Sequence, residues 1–298
     1  MKCETLVNYN GKSVSLQKVT EYITLCENIL MNYYSQITYN QLNVYLKEVR
    51  AQGRYGFTLD ELQEKFKLQY PAIKQKLYRL KLKNEVLQIR QGFYAIIPPE
   101  YSKQRILPPY LYIDDLMKSL NKPYYVGLLS AAAMYGAAHQ QPMGYTVVTE
   151  NPAPRNIEKQ QIAFFPKQNF LQEGILQKKS AAGYINVSSP ERTALDFFDY
   201  IHKFSLNRIT TILQELTEEM KPSVLAKTAK MFLNTAAIQR LGYILENEAG
   251  AESLSESLYK ILSSRQFFSI PLSPQKEKKG ETNNRWKIII NTKIKSDL

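Results

Sequence analysis

Apolar residues recur every three or four positions near the start of the chain, a spacing typical of amphipathic helices. This spacing predicts one helix over residues 16–34 and a second over residues 39–51. A third, short helix is predicted to begin after Thr58, because a threonine three residues ahead of Glu61 has the spacing of a capping box. Pro71 then suits the first turn of a fourth helix, since the N–H that proline lacks would have no partner there.

Past this fourth helix the apolar pattern changes from helical to alternating. Val86, Gln88 and Arg90 alternate up to a turn at Gly92, and residues 93–97 follow as a second strand. Two short helices followed by a hairpin predict a winged helix-turn-helix. The second of these two helices would be its recognition helix.

Basic residues are concentrated in the same unit. From Lys67 to Arg105 the chain carries nine lysines and arginines but only two acids, Glu85 and Glu100. A helix fits the major groove of DNA, where basic side chains neutralise phosphates and others reach base edges. A basic run by itself usually means a solvated helix face, and that alternative stays open. The order of capped helix, turn, basic helix and hairpin favours DNA binding.

Paired prolines divide the rest of the chain. Pro98–Pro99 and Pro108–Pro109 bracket the best linker candidate, and residues up to 107 are expected to fold on their own. Beyond the linker, short strand-like segments predict a mixed sheet, and helical patterns follow a cap signature at residues 188–191. The predicted fold class is α+β: a winged helix-turn-helix domain, then a larger mixed α/β domain with a helical C-terminal portion. The predicted division is an N-terminal helical extension over 1–38, the DNA-binding domain over 39–99, a linker over 100–109 and a C-terminal domain over 110–298.

Composition limits the possible partners. The chain has 298 residues, a formal net charge of +12 and a pI near 9.4, which favour a polyanionic partner. Cys3, Cys26 and the two histidines have neither disulfide-framework nor metal-ligand spacing, so no metal is assigned. No signal peptide and no apolar run of about 20 residues is present, which predicts a cytoplasmic protein without a membrane-spanning segment.

Motifs of common enzymes are missing from the sequence. Neither GxxxxGK[ST], GxGxxG nor GxSxG occurs, so no catalytic residue and no cofactor is assigned. Glu277-Lys278-Lys279 matches a fragment of some nuclease sites, but it lies in a charged loop flanked by proline and glycine. A DNA-processing enzyme is therefore only a weak alternative to a non-enzymatic two-domain binding protein.

Five short stretches resemble one known family. They are GFYAIIPPEY at 92–101, YYVGLLSAA at 124–132, GAAHQQP at 136–142, SPERTALD at 189–196, and Arg285-Trp286. Together they resemble the AbiEi antitoxins of type IV toxin–antitoxin systems, which act in abortive infection and phage defence. The resemblance covers about Tyr39 to Leu298.

The resemblance implies a transcriptional autorepressor and antitoxin. The winged helix would bind double-stranded operator DNA at inverted repeats in its own promoter, and the C-terminal domain would counter a nucleotidyltransferase-like toxin without a stable complex. The positions that take the DNA-binding role are Lys74, Gln75, Tyr78, Arg79 and Arg90. A possible antitoxin surface consists of Arg155, Arg192 and Arg285, although each arginine is equally well explained as a structural salt-bridge partner. His139 and Gln140 are expected to anchor the loop after the alanine-rich helix.

A second hypothesis keeps the winged helix and changes the larger domain. In this alternative the protein is a transcriptional regulator whose C-terminal domain senses a small molecule, and it has no toxin. A downstream gene for a nucleotidyltransferase would favour the antitoxin.

Overall fold

The computed structural model describes residues 6–9, 12–68, 70–104, 106–137 and 142–295. The chain begins with an antiparallel hairpin of β1 (Leu6–Tyr9) and β2 (Lys12–Ser15), followed by the long helix α1 (Leu16–Ala51). The two helices predicted over residues 16–34 and 39–51 are one continuous helix. Residues 35–38 contain neither glycine nor proline, so nothing in that segment forces the helix to stop.

A compact unit of two helices and three strands follows. In chain order its elements are β3 (Gly56–Thr58), α2 (Leu59–Phe66), α3 (Tyr70–Leu82), β4 (Val86–Arg90) and β5 (Phe93–Ile96). The strands form an antiparallel sheet in the order β3-β5-β4. The two helices and the hairpin lie where the sequence predicts them. The short strand β3 was not predicted, because three residues carry too little alternation to be recognised.

The start of α2 differs in one detail from the predicted capping box. Thr58 caps the helix as expected, since its hydroxyl accepts a hydrogen bond from the Glu61 N–H at 3.0 Å. The Glu61 carboxylate does not return to the cap. It accepts hydrogen bonds from the Tyr45 hydroxyl at 3.2 Å and from Arg54 Nη2 at 3.3 Å. Glu61 therefore joins the end of α1 to α2.

The larger part of the chain contains a five-stranded mixed sheet with two small helices. Its elements are α4 (Ile113–Ser119), β6 (Tyr124–Val126), α5 (Leu128–Met134), β7 (Tyr145–Glu150), β8 (Ile162–Lys167), β9 (Ile175–Ser180) and β10 (Gly183–Ser188). The strand order is β8-β7-β6-β10-β9, with parallel pairing of β7 with β8 and of β6 with β10. The predicted mixed sheet is confirmed.

Five helices and three short strands complete the chain, as the predicted helical C-terminal portion requires. They are α6 (Pro190–Asp199), α7 (Leu206–Leu216), α8 (Pro222–Met231), α9 (Thr235–Asn247), α10 (Glu252–Leu262), β11 (Ile270–Pro271), β12 (Thr282–Asn283) and β13 (Ile288–Ile289). The α6 cap is Ser189, whose hydroxyl accepts from the Arg192 N–H. Glu191 follows Ser188 at the spacing of a capping box, but its carboxylate instead accepts a hydrogen bond from the Lys221 N–H at the start of α8. The fold class is α+β.

Strand β5 serves two hydrophobic cores because its side chains alternate between the two faces of the sheet. Tyr94 and Ile96 pack with α1, α2 and α3, whereas Phe93 and Ala95 pack with α4 and the five-stranded sheet. All four residues of β5 are buried. The sheet of the first unit is therefore covered on both faces.

The predicted linker is packed against the protein. Leu107 is fully buried in the core that β5 shares with α4, and its N–H donates to Gln160 Oε1 at 3.2 Å. Nearby, Arg54 Nε donates to Asp115 Oδ1 at 2.9 Å, and the Gly56 N–H donates to Asp115 Oδ2 at 3.0 Å. The division into domains at residues 100–109 stays a prediction, and the core is continuous across that point.

Candidate nucleic-acid interface and antitoxin domain

Helix α3 has one buried face and one polar, basic face. Ile73, Leu77 and Leu80 are buried in the core of the first unit. Because the helix turns 100° per residue, the opposite arc carries the four predicted DNA-contacting positions on this helix. All four side chains are exposed: Lys74, Gln75, Tyr78 and Arg79. The structure thus brings these predicted site residues together on one accessible helix face.

A groove of about 440 Å³ lies between α3 and the β4–β5 hairpin. Lys74 and Tyr78 line its helix side, and Gln91 and Gly92 line its hairpin side. Gly92 has φ +80°, the left-handed conformation that suits glycine in this turn. Further lining residues that the sequence did not single out are Tyr70, Lys81 and Gln88. Tyr70 and Lys81 lie four residues before and seven residues after Lys74, on the same side of α3, and this spacing could have identified them. Gln88 lies on β4 in the predicted hairpin.

Polar contacts already order this groove. Lys81 Nζ donates to Gln88 Oε1 at 3.1 Å, which joins helix to hairpin. The Tyr70 hydroxyl contacts the Asp60 carboxylate, and this hydrogen bond raises the pKa of Tyr70. The Lys74 ammonium lies 5.8 Å from the centre of the Tyr70 ring. The groove therefore presents ordered amide and hydroxyl groups beside the ammonium groups of Lys74 and Lys81.

Arg90 differs from the other predicted DNA-contacting residues because it is only partly accessible. It lies at the end of β4, where the pairing with β5 is irregular between Gln88 and Arg90. Its Nη1 atom is buried and has no hydrogen-bond partner within the described part of the chain. A buried guanidinium nitrogen without an acceptor is costly. Arg90 is thus placed at the hairpin, with one donor unused.

Mutual repulsion is visible on the basic helix itself. Burial lowers the pKa of Lys76, and the neighbouring Arg79 guanidinium lowers it further. Positive charges that disfavour one another gain from an anion placed between them. This face of α3 is electrostatically suited to a polyanion.

The three arginines of the possible antitoxin surface lie in different environments. Arg155 is exposed. Arg192 is only 1% exposed, so it does not contribute to an accessible basic surface. Arg285 Nη1 pairs with Glu246 at 2.8 Å and its Nη2 contacts Glu256. The alternative interpretation, a structural salt-bridge partner, describes Arg192 and Arg285.

Arg192 belongs to a buried ionic network at the centre of the second part of the chain. Its Nε lies 3.3 Å from Asp196, whose carboxylate also contacts Lys167 and accepts a hydrogen bond from the Tyr125 hydroxyl at 2.7 Å. Lys167 pairs in addition with Asp199 at 2.9 Å. Burial alone would lower the pKa of Arg192, but the Asp196 carboxylate and the Tyr125 hydroxyl together outweigh burial and raise that pKa. Two cations and two carboxylates therefore neutralise one another in the interior.

The fold, the basic face of α3 and the buried network around Arg192 define a class of protein. It is an α+β protein in which a small unit with a basic helix is joined to a larger domain with a buried ionic network. Its architecture is similar to the crystal structure of the RV2827C protein from Mycobacterium tuberculosis, with a TM-score of 0.58. The match covers 82% of this chain and 89% of that chain, at 14% sequence identity, and it concerns the fold alone. No curated protein sequence matches the chain.

Part of the larger domain matches the model of a known family. Residues 125–247 match the family model of the AbiEi antitoxin C-terminal domain. This match confirms the resemblance to the AbiEi antitoxins that was inferred from the sequence. This match supports an antitoxin role in a toxin–antitoxin system, and the family is not an enzyme family. The whole buried ionic network, from Tyr125 to Asp199, lies within the matched residues.

Three further predictions concern a loop anchor, a metal site and a membrane-spanning segment. His139 and Gln140, expected to anchor a loop, lie outside them. Across residues 6–9, 12–68, 70–104, 106–137 and 142–295, no group of three or more histidine, cysteine, aspartate or glutamate side chains is placed to hold a metal ion. Within the same ranges, no helix has the length and apolar character needed to cross a membrane.

Proposed function

We propose that this protein is the antitoxin and transcriptional autorepressor of a type IV toxin–antitoxin system. The unit from β3 to β5, together with the C-terminal half of α1, acts as a winged helix-turn-helix with α3 as recognition helix and the β4–β5 hairpin as wing. It binds inverted repeats of double-stranded DNA in its own promoter. The larger domain counters a nucleotidyltransferase-like toxin in the cytoplasm without a stable complex.

One observation carries the DNA-binding part of this proposal. Four predicted contact residues share an exposed face of α3, beside a groove whose other wall is the hairpin. A helix of this diameter fits the major groove, while a hairpin at its side reaches the adjacent backbone. The family match to the antitoxin domain supports the pairing of such a unit with a toxin.

Substitution of single residues on α3 tests DNA binding. We expect Lys74→Ala and Arg79→Ala each to weaken binding of a promoter fragment, measured by fluorescence anisotropy over a range of salt concentrations. A lost phosphate contact lowers the slope of log affinity against log salt by roughly 0.9. A lost base contact costs about 1–3 kcal/mol and relaxes specificity at one base pair.

The matched control for Lys74→Ala is Lys260→Ala, which removes an exposed lysine from α10, in the antitoxin domain. It removes the same charge and is expected to keep the affinity and the salt slope. If both α3 variants bind as the unaltered protein does, or if Lys260→Ala weakens binding as much as Lys74→Ala does, the assignment of α3 as the DNA-binding helix is wrong.

The division of labour between the two parts is tested by growth. With toxin expressed from a foreign promoter, the Lys74→Ala/Arg79→Ala double variant is expected to rescue growth as well as the unaltered chain, although it no longer represses the native promoter in a reporter assay. Loss of rescue by a stably folded double variant would show that toxin neutralisation depends on α3, against this proposal.

A further inference from the structure

Near its N-terminal end, α1 has a stretch of solvent-exposed residues. Ile23, Thr24, Leu25 and Cys26 are four successive residues and together span a full turn of the helix. All four are exposed, as are Thr20 and Glu21 on the preceding turn. No face of this part of α1 is therefore covered by the rest of the described chain. Helices in water depend on tertiary packing of an apolar face for most of their stability.

The sequence of α1 contains an apolar stripe at alternating steps of three and four residues. We call it the α1 stripe, and it consists of Leu16, Val19, Ile23, Cys26, Leu30, Tyr33 and Ile37. The next position of this repeat is the polar residue Asn40, and Val44 follows one heptad after Ile37 and is 54% exposed. A 3-4 repeat sustained over three heptads is the spacing of a coiled-coil core, where a and d positions face a partner helix.

The α1 stripe is distinct from the face by which α1 packs on its own chain. Leu42, Tyr45, Leu46 and Val49 are buried in the core of the DNA-binding unit. With 100° per residue, that buried face lies about 125° around the helix from the α1 stripe. The same helix therefore has one face for its own core and a second apolar face, which is exposed at its described positions Ile23, Cys26 and Val44.

The residues that flank the α1 stripe would not repel the same residues of a second copy of the helix. In a coiled coil the e and g positions of one helix approach those of the other, and like charges there prevent pairing. From residue 20 to residue 43 these positions are Thr20, Tyr22, Glu27, Ile29, Tyr34, Gln36, Gln41 and Asn43. Glu27 is the only charged residue among them, so two identical helices meet without a repelling pair.

We propose that the α1 stripe pairs with the α1 stripe of a second copy of this chain in a parallel, two-stranded coiled coil of about 42 Å, from Leu16 to Val44. The pairing itself is inferred from the helix, whereas its parallel direction rests on the proposed function. In a parallel pair both DNA-binding units lie at the same end, related by a two-fold axis. Inverted repeats in DNA have the same symmetry.

Sedimentation of the full chain without DNA tests the pairing. We expect a dimer, and we expect Ile23→Glu to raise its dissociation constant by about a hundredfold or more, because each dimer loses two buried isoleucine side chains and gains two buried charges. Leu25→Glu is the matched control. Both residues are 54% exposed, but they lie about 160° apart around α1. The Leu25 variant is expected to remain a dimer.

Thermal unfolding followed by circular dichroism is the control that both variants fold. A monomeric unaltered chain, a dimer insensitive to Ile23→Glu, or equal loss in both variants would each overturn the proposal. Since sedimentation uses no DNA, these results are independent of the Lys74 and Arg79 variants. A dimer that fails to bind promoter DNA would contradict the proposed function and leave the pairing standing.

Direction is tested by cross-linking. In a parallel, in-register pair the two Cys26 thiols face each other at one core layer, whereas an antiparallel pair separates them along the axis. In a Cys3→Ser chain, Cys26 is the one remaining cysteine. A short bismaleimide is expected to convert this dimer to a covalent one, and Ile23→Glu is expected to prevent it. A dimer that does not cross-link would overturn the parallel arrangement.

Discussion

Removal of the Asp196 carboxylate is expected to destabilise the antitoxin domain strongly. The Asp196 side chain is fully buried and contacts two cations, Lys167 and Arg192. In Asp196→Ala, Lys167 keeps Asp199, whereas the hydrogen-bond acceptors left to Arg192 are the Glu173 carbonyl and the Tyr125 hydroxyl, which are uncharged. A buried guanidinium left without its carboxylate costs about 3–5 kcal/mol.

Asp199→Ala is the matched comparison. Its carboxylate is partly exposed, and Lys167 keeps Asp196 when it is removed. The variant also loses the hydrogen bond from Asn234 Nδ2 at 2.7 Å. Loss of such hydrogen bonds costs about 1–2 kcal/mol at a partly solvated carboxylate. The two aspartates, three residues apart on one helix, are thus expected to differ by roughly 1–4 kcal/mol.

Urea unfolding provides the measurement. The chain has one tryptophan, Trp286, which is fully buried in the same core cluster as Tyr125, so its fluorescence reports on this domain. The free energy of unfolding follows from linear extrapolation with an unchanged m value. If Asp196→Ala costs no more than Asp199→Ala, the network does not hold Arg192 as described.

A double variant separates charge compensation from packing. Replacement of Arg192 by methionine removes the cation that Asp196→Ala leaves unpaired. We therefore expect the double variant Arg192→Met/Asp196→Ala to be less destabilised than the sum of the two single variants, by about 1–3 kcal/mol. Strict additivity would mean that the two side chains contribute independently, against a charge pair.

Two further substitutions probe other contacts. Gly242→Ala is expected to cost about 1–3 kcal/mol by urea unfolding, because the added Cβ would overlap the Trp286 ring; an unchanged midpoint would contradict this packing. Burial raises the pKa of Asp115 and Arg54 opposes that rise, so Arg54→Ala raises it further. A carboxyl with a raised folded-state pKa loses stability as pH rises through that pKa. The deficit of Arg54→Ala should therefore be small at acidic pH and grow toward neutrality, and a pH-independent deficit would contradict it.

The elements near the basic helix were predictable because their signals are local. The Thr58 cap, the proline in the first turn of α3 and the glycine turn at Gly92 each act within a few residues. Exposure of the predicted α3 face followed from its three buried positions alone. The contacts that the sequence did not predict involve residues outside the local motif. Glu61 accepts a hydrogen bond from Arg54, and Glu191 accepts one from the N–H of Lys221 at the start of α8.

The role of Arg192 was beyond local inference for a related reason. Asp196 is one helical turn away and was visible as an i, i+4 partner. Tyr125 and Lys167 come from β6 and β8, and only the strand order of the sheet brings them to α6. An arginine within a helix pattern is most often exposed. Burial here results from three elements that supply compensating groups at once.

The packing of β5 shows that the segment between the paired prolines is not a flexible linker. Flanking prolines are typical of linkers, yet here they begin two short 3-10 turns whose intervening Leu107 is buried. Phe93 and Ile97 would be exposed if residues 110–298 were removed, because they pack against α4 and the larger sheet. Since exposing each large apolar side chain costs about 1.5–3 kcal/mol, the unit from β3 to β5 is held against the larger domain by packing rather than connected to it by a flexible linker. Both faces of β5 are apolar, so its sequence shows no alternation between apolar and polar residues. The structure is needed to see that one face packs against the larger domain and is not exposed as it would be in a hairpin at the surface.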